Sequence, residues 1–383
     1  MAVLKNIVVV GGSYCGVSNN QACPALTDNN AQHIFAFPRI SCVPGFEHKA
    51  FVPFTNAFHD APRHSTSIVQ GVVTAVHSDR VVLASGEEIP YEYLVMATGT
   101  GKPPLETTTK VESVKKTNEV QDRMKQAQDI VIVGGGAFGI QLAFDTKEFY
   151  PSKNVTLVHS RKELLNRFHP KLHEIVSQRA AAIGIKLVLG QRANVPPGGF
   201  PISGPSYTVE LADGTPIPAD VAIACGFGVV PLSAPLRTLS PSSIDPQGYI
   251  RVKPTLQLLD PAFPRVFALG DVAATGANKA AAPGYMQAAI LVQNIVNMIE
   301  GRSERVEYAP SVPGIHLAIG LHSYVTFYNP SGPGEEPTVR FVELGDGDTK
   351  ELVRDWRGER ATTTRWSHCV GCKVGCQGKF KVI

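Results

Sequence analysis

Short apolar runs alternate with longer amphipathic stretches along most of the chain. The runs at 7–10, 93–97, 130–133, 155–159, 221–224 and 266–269 are rich in branched residues, the pattern of strands buried on both faces of a parallel sheet. Between them, the apolar spacing at 163–183 and 284–299 predicts helices. Segments 69–77 and 80–83, followed by Ser85-Gly86, predict an antiparallel hairpin, and a second is expected at 207–217. Pro/Gly-rich stretches at 196–205 and 330–337 read as exposed loops. The class that follows is α/β, with helices wrapped around parallel sheets.

Composition narrows the function classes. A length of 383 residues suggests two or three domains, and 43 % hydrophobic with 18 % charged residues is ordinary for a globular protein. The net charge of +3 is spread along the chain without a Lys/Arg block, which gives no case for nucleic acid or a polybasic membrane anchor. A small-molecule partner is the default expectation. No apolar run reaches transmembrane length, which leaves only peripheral membrane contact open, and the early apolar run reads as part of the fold instead of a cleaved signal. Seven scattered cysteines point to free thiols in a reducing, cytoplasmic compartment. Nothing in the sequence addresses oligomeric state.

The apolar run at 130–133 leads into Gly134-Gly135-Gly136-Ala137-Phe138-Gly139, a G-x-G-x-x-G turn that opens a helix and precedes another strand. Each glycine has a mechanical task. Gly134 makes the tight turn, Gly136 lets the backbone approach a pyrophosphate, and Gly139 lets the helix pack on the strand. Phosphate charge is then favoured at the unpaired N–H groups of the helix N-terminus. A second copy, Gly11-Gly12-Ser13-Tyr14-Cys15-Gly16, follows the first strand but has Ser at the middle position. After it the chain runs into Asp28-Asn29-Asn30 with no apolar strand, so the second strand is either missing or very degraded and the first βαβ unit reads as shortened.

Two copies of one nucleotide turn suggest a second domain inserted into the first. A distal strand ending in Gly270-Asp271 supports this arrangement, since in flavoproteins with two dinucleotide folds such an aspartate bonds the flavin ribityl chain. Ala97-Thr98-Gly99, after its own strand, belongs to the same set. No G-x-S-x-G nucleophile elbow appears, so a hydrolase reading has no local motif.

With these residues in view, the chain resembles the apoptosis-inducing-factor-2-like family of FAD-dependent NAD(P)H oxidoreductases, which includes ferroptosis suppressor protein. Its segments HIFAFPR at 33–39, GFEHKAF at 45–51 and KAAAPGYMQ at 279–287 look like the fungal members. The resemblance implies two Rossmann-like dinucleotide-binding domains of glutathione-reductase type, the second inserted in the first, plus a small C-terminal α+β segment. Residues 1–103 and 240–308 would bind FAD, 104–239 would bind NAD(P), and 309–383 would form the C-terminal segment. It also implies FAD contacts from Gly11, Gly16, Arg39, Lys49 and Asp271, with Lys49 and Lys279 as candidate catalytic cations near the flavin ring. The expected reaction passes a hydride from the nicotinamide to flavin and then reduces a quinone-like or aromatic small-molecule acceptor. Gln141 stands where related enzymes carry Glu near the nicotinamide ribose, and keeps hydrogen bonding without charge.

The choice of nicotinamide turns on His159-Ser160-Arg161, where an NADH enzyme would place an acidic residue. Arg161 can accept a 2′-phosphate, so NADPH is expected to be tolerated or preferred over NADH. Cys15 and Cys23 lack the C-x4-C spacing of a redox dithiol, and Cys15, Cys42 and Cys225 read as small buried residues. The tail holds His368, Cys369, Cys372 and Cys376 without two spaced ligand pairs, so no metal is expected; the tail itself is expected to be poorly ordered. Two other readings stay open at this point: a flavoenzyme acting on a secondary-metabolite intermediate, and a non-catalytic nucleotide-binding protein.

Overall fold

The computed structural model describes residues 6–12, 25–28, 32–34, 38–54, 66–101, 107, 109–226 and 230–343. Its first sheet has five parallel strands in the order β17-β9-β1-β2-β5, where β1 is Ile7–Val10, β2 Ala25–Asp28, β5 Ser67–Gln70, β9 Tyr93–Met96 and β17 Val266–Ala268. The residues of β1 and β9 are fully buried, as expected of strands covered on both faces. Side chains of β1 alternate. Ile7 and Val9 meet Leu291 and Ile295 of helix α6 (Ala281–Ile299), while Val8 and Val10 face the antiparallel meander β6 (Val73–Val76), β7 (Arg80–Leu83) and β8 (Glu88–Pro90).

Strand β2 decides between the two sequence readings of this segment: the second strand is degraded, not missing. It lies parallel to β1, with Val8 opposite Ala25 and Val10 opposite Thr27, and it ends on Asp28. An acidic residue therefore closes the second strand of the first fold, the position that a Rossmann unit uses for a ribose. A further small pair joins β3 (Gln32–Ile34) to β4 (Phe51–Pro53).

The second unit is a four-stranded parallel sheet in the order β12-β11-β10-β15, with β10 at Asp129–Val133, β11 at Asn154–His159, β12 at Ile185–Leu189 and β15 at Val221–Ala224. Helices α3 (Lys110–Gln126), α4 (Ala137–Phe149) and α5 (Pro170–Ile183) bury Met124, Phe144 and Val176 against one face. The hairpin β13–β14 (Tyr207–Glu210 and Pro216–Ala219) covers the other with Val209 and Ile217. Thr109 caps α3 by accepting from the Glu112 amide, one half of the T-x-x-E capping box, and its hydroxyl donates to the Glu112 carboxylate at 2.8 Å. The helix expected from residue 163 begins instead at Pro170, where proline is preorganised for the first helical position. Ahead of it Leu165 adopts a left-handed conformation that no helix continues.

The chain leaves the first fold after β9 and returns before β17, so the second fold is inserted in the first. The two crossing segments pair with each other: Leu232 N donates to Gly99 O at 3.0 Å, Gly101 N to Val230 O at 3.1 Å, and the Thr98 hydroxyl to Leu232 O at 2.7 Å. Beyond α6, strands β19 (Gly314–Ala318), β20 (Ser323–Tyr328) and β21 (Thr338–Glu343) form an antiparallel sheet. Its residues Leu317, Val325 and Phe327 join the core of the second unit.

Three parts of the chain meet at one ion pair. Arg39, on the short helix α1 (Pro38–Cys42), donates from Nε and Nη2 to both oxygens of Asp145 on α4, each at 3.0 Å, and from Nη2 to Gly320 O at 2.9 Å. The Asp145 side chain is 2 % exposed and that of Arg39 15 %. Burial raises the Asp145 carboxyl above the ordinary range, and the guanidinium opposes the shift. Arg39, which the resemblance assigns to FAD, thus has its Nε and Nη2 engaged by Asp145 and Gly320. Next to it, Glu148 accepts from Arg179 at 2.8 Å and from Leu321 N at 2.7 Å.

Asp145→Ala is expected to destabilise the protein by about 3–5 kcal/mol, because it leaves the Arg39 charge buried without its partner. The double variant Arg39→Met, Asp145→Leu should lose less than Asp145→Ala alone. Chemical denaturation of the three proteins checks the order, and a double variant less stable than the single one contradicts it.

Candidate nucleotide sites

Strand β10 delivers the second glycine turn with the geometry its sequence implies. Gly134 has φ +123°, and a Cβ there would lie 2.8 Å from Cys225 O. A Cβ on Gly139 would come within 1.9 Å of Gly134 O, so helix α4 packs directly on the turn only because this residue is glycine. Gly136 differs: a Cβ there would meet nothing within 4 Å. It is the N-cap of α4 and supplies no side-chain hydrogen bond, which leaves the first helical N–H groups aimed at open space. Unpaired N–H groups at a helix N-terminus favour an anion. Gln141 is half-buried in the second turn of the same helix.

At the end of β11, Arg161 is exposed beside this turn, and its charge helps hold the His159 imidazole below the ordinary histidine range, behind the larger effect of burial. Directly after the strand come Ser160, Arg161 and Lys162, with Glu163 next, so the first charged side chains beyond β11 are basic.

In the first fold, β1 ends at Gly11 and Gly12. Gly11 has φ +109°, and a Cβ would lie 2.3 Å from Ala97 O, so the turn and the Ala97-Thr98-Gly99 segment approach as only glycine allows. Ala97 N donates to Val10 O at 2.8 Å, and Leu269 N to Met96 O at 3.1 Å. Three strand ends thus converge, bringing Gly11, Gly99 and Gly270-Asp271 to one edge of the sheet. Ser13, Gly16, Cys15 and Cys23 lie outside the described residues, as does the tail with His368, Cys369, Cys372 and Cys376.

The Gly270 amide donates to Gln287 Oε1 at 2.7 Å, and Gln287 Nε2 donates to Thr275 Oγ1 at 3.2 Å. Gln287 is 2 % exposed on α6 and fixes the loop that carries Asp271. Sequence reading quoted this residue within a motif but gave it no task; a glutamine inside a buried helix face was the available signal. Desolvation raises the Asp271 carboxyl and Lys279 pulls it back. Burial conversely lowers the Lys279 ammonium, which Asp271 supports. Lys279 Nζ also donates to Ala273 O and lies 4.6 Å from the Tyr249 ring centroid. The structure brings Asp271 and Lys279 together. Lys49, the other candidate cation, has a different setting: it is exposed on the short helix α2 (Glu47–Ala50), with Nζ 5.8 Å from the Phe46 ring centroid.

Cys42 is buried and Cys225 partly so; both are free thiols, and burial raises both above the ordinary thiol range. Neither has the character of an attacking thiolate. Among the described residues no helix is long and apolar enough to cross a membrane.

The two inner glycines should separate binding from folding. Gly139→Ala is expected to disrupt the second unit, whereas Gly136→Ala should keep the wild-type unfolding midpoint and weaken nucleotide binding by about tenfold or more, its methyl filling the phosphate space. Thermal unfolding and nucleotide titration check the contrast; equal unfolding midpoints for the two variants would refute it.

The family model described as pyridine nucleotide-disulphide oxidoreductase matches residues 49–293. Among curated proteins, Fe-regulated protein 8 of Mycosarcoma maydis is 33 % identical over 357 residues, covering 83 % of this chain and 87 % of that protein. FAD-dependent oxidoreductase FVFD30 of Flammulina velutipes is 32 % identical, covering 74 % and 86 %. Human ferroptosis suppressor protein 1 is 28 % identical, covering 84 % and 87 %. The fold is that of the sulfide:quinone oxidoreductase from Aquifex aeolicus, with TM-score 0.69 and 17 % identity over 92 % of this chain and 90 % of that one. Two tandem nucleotide turns, an inserted second fold and this matched span place the chain in the pyridine nucleotide-disulphide oxidoreductase family, whose members are FAD-dependent oxidoreductases.

Proposed function

We propose that the chain takes a hydride from NADPH, with NADH the weaker donor, and delivers the electrons through FAD to a quinone-like or aromatic small-molecule acceptor. When bound, FAD supplies the two-electron chemistry, and the chain's own residues place and polarise the reactants. The open face over Gly136 and the uncapped start of α4 would hold the nicotinamide pyrophosphate. Gln141 would offer the ribose a neutral hydrogen bond. Gly11 and Gly12, with Asp28 at the end of β2, hold the corresponding positions in the first fold. Asp271, kept in place by Gln287, would meet the ribityl hydroxyls, and Lys279 would put a half-buried positive charge beside them.

The observation that carries this reading is the convergence of Gly11, Ala97-Thr98-Gly99 and Gly270-Asp271 at the carboxyl edge of the first sheet. Asp271 and Lys279 lie there, and each charge moderates the shift that burial causes in the other. The quinone-like acceptor comes from the family resemblance. The NADPH preference comes from Arg161, which offers a planar bidentate donor where an acidic residue would have favoured NADH.

The purified protein should be yellow and should bleach when NADPH is added without oxygen. A colourless protein that cannot be reconstituted with FAD overturns the proposal. Arg161→Ala should raise KM for NADPH by about tenfold or more, the loss of a charge-assisted contact, and leave KM for NADH nearly unchanged. Equal effects on both nucleotides would remove Arg161 from the specificity argument.

A further inference from the structure

Gly135, between the two glycines already discussed, has both of its peptide groups held by the segment that follows β11. Its N–H donates to His159 Nδ1 at 3.0 Å, and its carbonyl accepts from Leu165 N at 3.2 Å. The packing is close: a Cβ on Gly135 would lie 2.4 Å from Leu164 Cδ2 and 2.7 Å from His159 Cγ. The imidazole therefore lies directly beneath the nucleotide turn. Leu165 makes its contact from a left-handed conformation with φ +52°, which a leucine adopts only when its surroundings enforce it.

An Nδ1 that accepts from an amide carries no proton, so the neutral ring holds its proton on Nε2. Nε2 is shielded from water and makes no hydrogen bond of good geometry. A second proton would have to go onto Nδ1, which would turn two N–H groups against each other at 3.0 Å. We propose that His159 is the positioning residue of the nucleotide turn: its neutral imidazole holds the Gly135 amide, and protonation releases it and weakens nucleotide binding. This rests on the reading of residues 134–139 as the nicotinamide nucleotide site.

The surroundings favour the neutral ring. Burial disfavours a charge there most, Arg161 adds its own repulsion, and the main chain of Glu163 acts in the opposite direction. From α4, opposite the ring, the positive end of the helix dipole also disfavours a cation. On α5, His173 meets the same segment: its Nδ1 accepts from Leu164 N at 3.2 Å and lies 3.2 Å from the Ser177 hydroxyl. With the proton affinity of His159 depressed, nucleotide affinity is full at neutral pH and falls only as the solution drops below the ordinary histidine range. The opposite sign would follow if His159 acted as a phosphate-binding cation.

The isosteric pair Asn and Gln tests this. The Asn oxygen can take the place of Nδ1 and does not titrate, whereas Gln reaches towards the position of Nε2. Calorimetric titration of the FAD-loaded full chain with NADP+ should show wild-type affinity about twofold or more weaker near pH 5 than near pH 8. His159→Asn should bind within about threefold of wild type near pH 8 and lose most of the pH dependence, and the difference between the two proteins cancels the titration of the nucleotide's own phosphate. His159→Gln should bind about tenfold more weakly near pH 8, with kcat at saturating NADPH unchanged. Parallel pH curves for wild type and His159→Asn, or affinity that tightens towards acid, overturn the proposal even if His159→Gln fails to fold. A wild-type protein that binds NADP+ at no pH would instead overturn the nucleotide reading of the turn, and this inference with it.

Discussion

The buried pair of Arg39 and Asp145 fixes the relation between the two nucleotide folds. Asp145 lies in the third turn of the helix whose N-terminus forms the second nucleotide turn, and Arg39 belongs to the first fold. Domains joined by two crossing strands would ordinarily be free to shift on each other. Here a bidentate contact in a nearly dry setting holds the helix from its far end while Gly139 packs its near end onto β10. The C-terminal sheet enters the same arrangement through Gly320, whose carbonyl takes an Arg39 hydrogen bond. Gly320 has φ +122°, and a Cβ there would lie 2.1 Å from Glu148 Oε1, so the contact tolerates no side chain. A pair of this kind adds little net stability relative to an apolar replacement, but losing one member is severe. Its value lies in the geometry it imposes.

The second fold was legible in the sequence because its signals are local. Strand, glycine turn, helix and next strand follow one another in sequence, and each glycine stands where sterics demand it. The first fold was less legible. Strand β2 reads ALTD, with no run of branched apolar residues, and its place in the sheet comes from pairing with β1 and β5 and not from intrinsic propensity. The helix predicted from residue 163 failed for a related reason: Leu164 and Leu165 continue an apolar pattern, yet Leu165 is turned left-handed by its hydrogen bond to Gly135. Arg39 shows a different limit. Its residue type suits a phosphate or a carboxylate equally well, and its partner Asp145 is 106 positions away.

The candidate sites divide in the same way. Gly134, Gly136 and Gly139 could be assigned tasks from spacing alone; the structure gives Gly134 and Gly139 a steric reason, whereas a Cβ on Gly136 would meet no protein atom. The contacts around Asp271 were not legible although Asp271, Lys279 and Gln287 lie in one short stretch of chain: the turn after β17 carries the carboxyl, and only the fold shows that Gln287 on α6 reaches back to the Gly270 amide. His159 was overlooked because attention at that position went to the missing acid and its replacement Arg161.

The two sites also differ in how they manage charge. At the second turn the cationic groups are exposed or lie at a helix end, where solvent and counterions screen them until a phosphate arrives. At the first, burial has already shifted Asp271 towards its neutral form and Lys279 towards its own, and their mutual attraction works against both shifts. Removing either charge therefore changes the proton affinity of the other. Positive charge at this edge thus depends on the carboxylate that accompanies it, while Gln287 holds the backbone that carries that carboxylate.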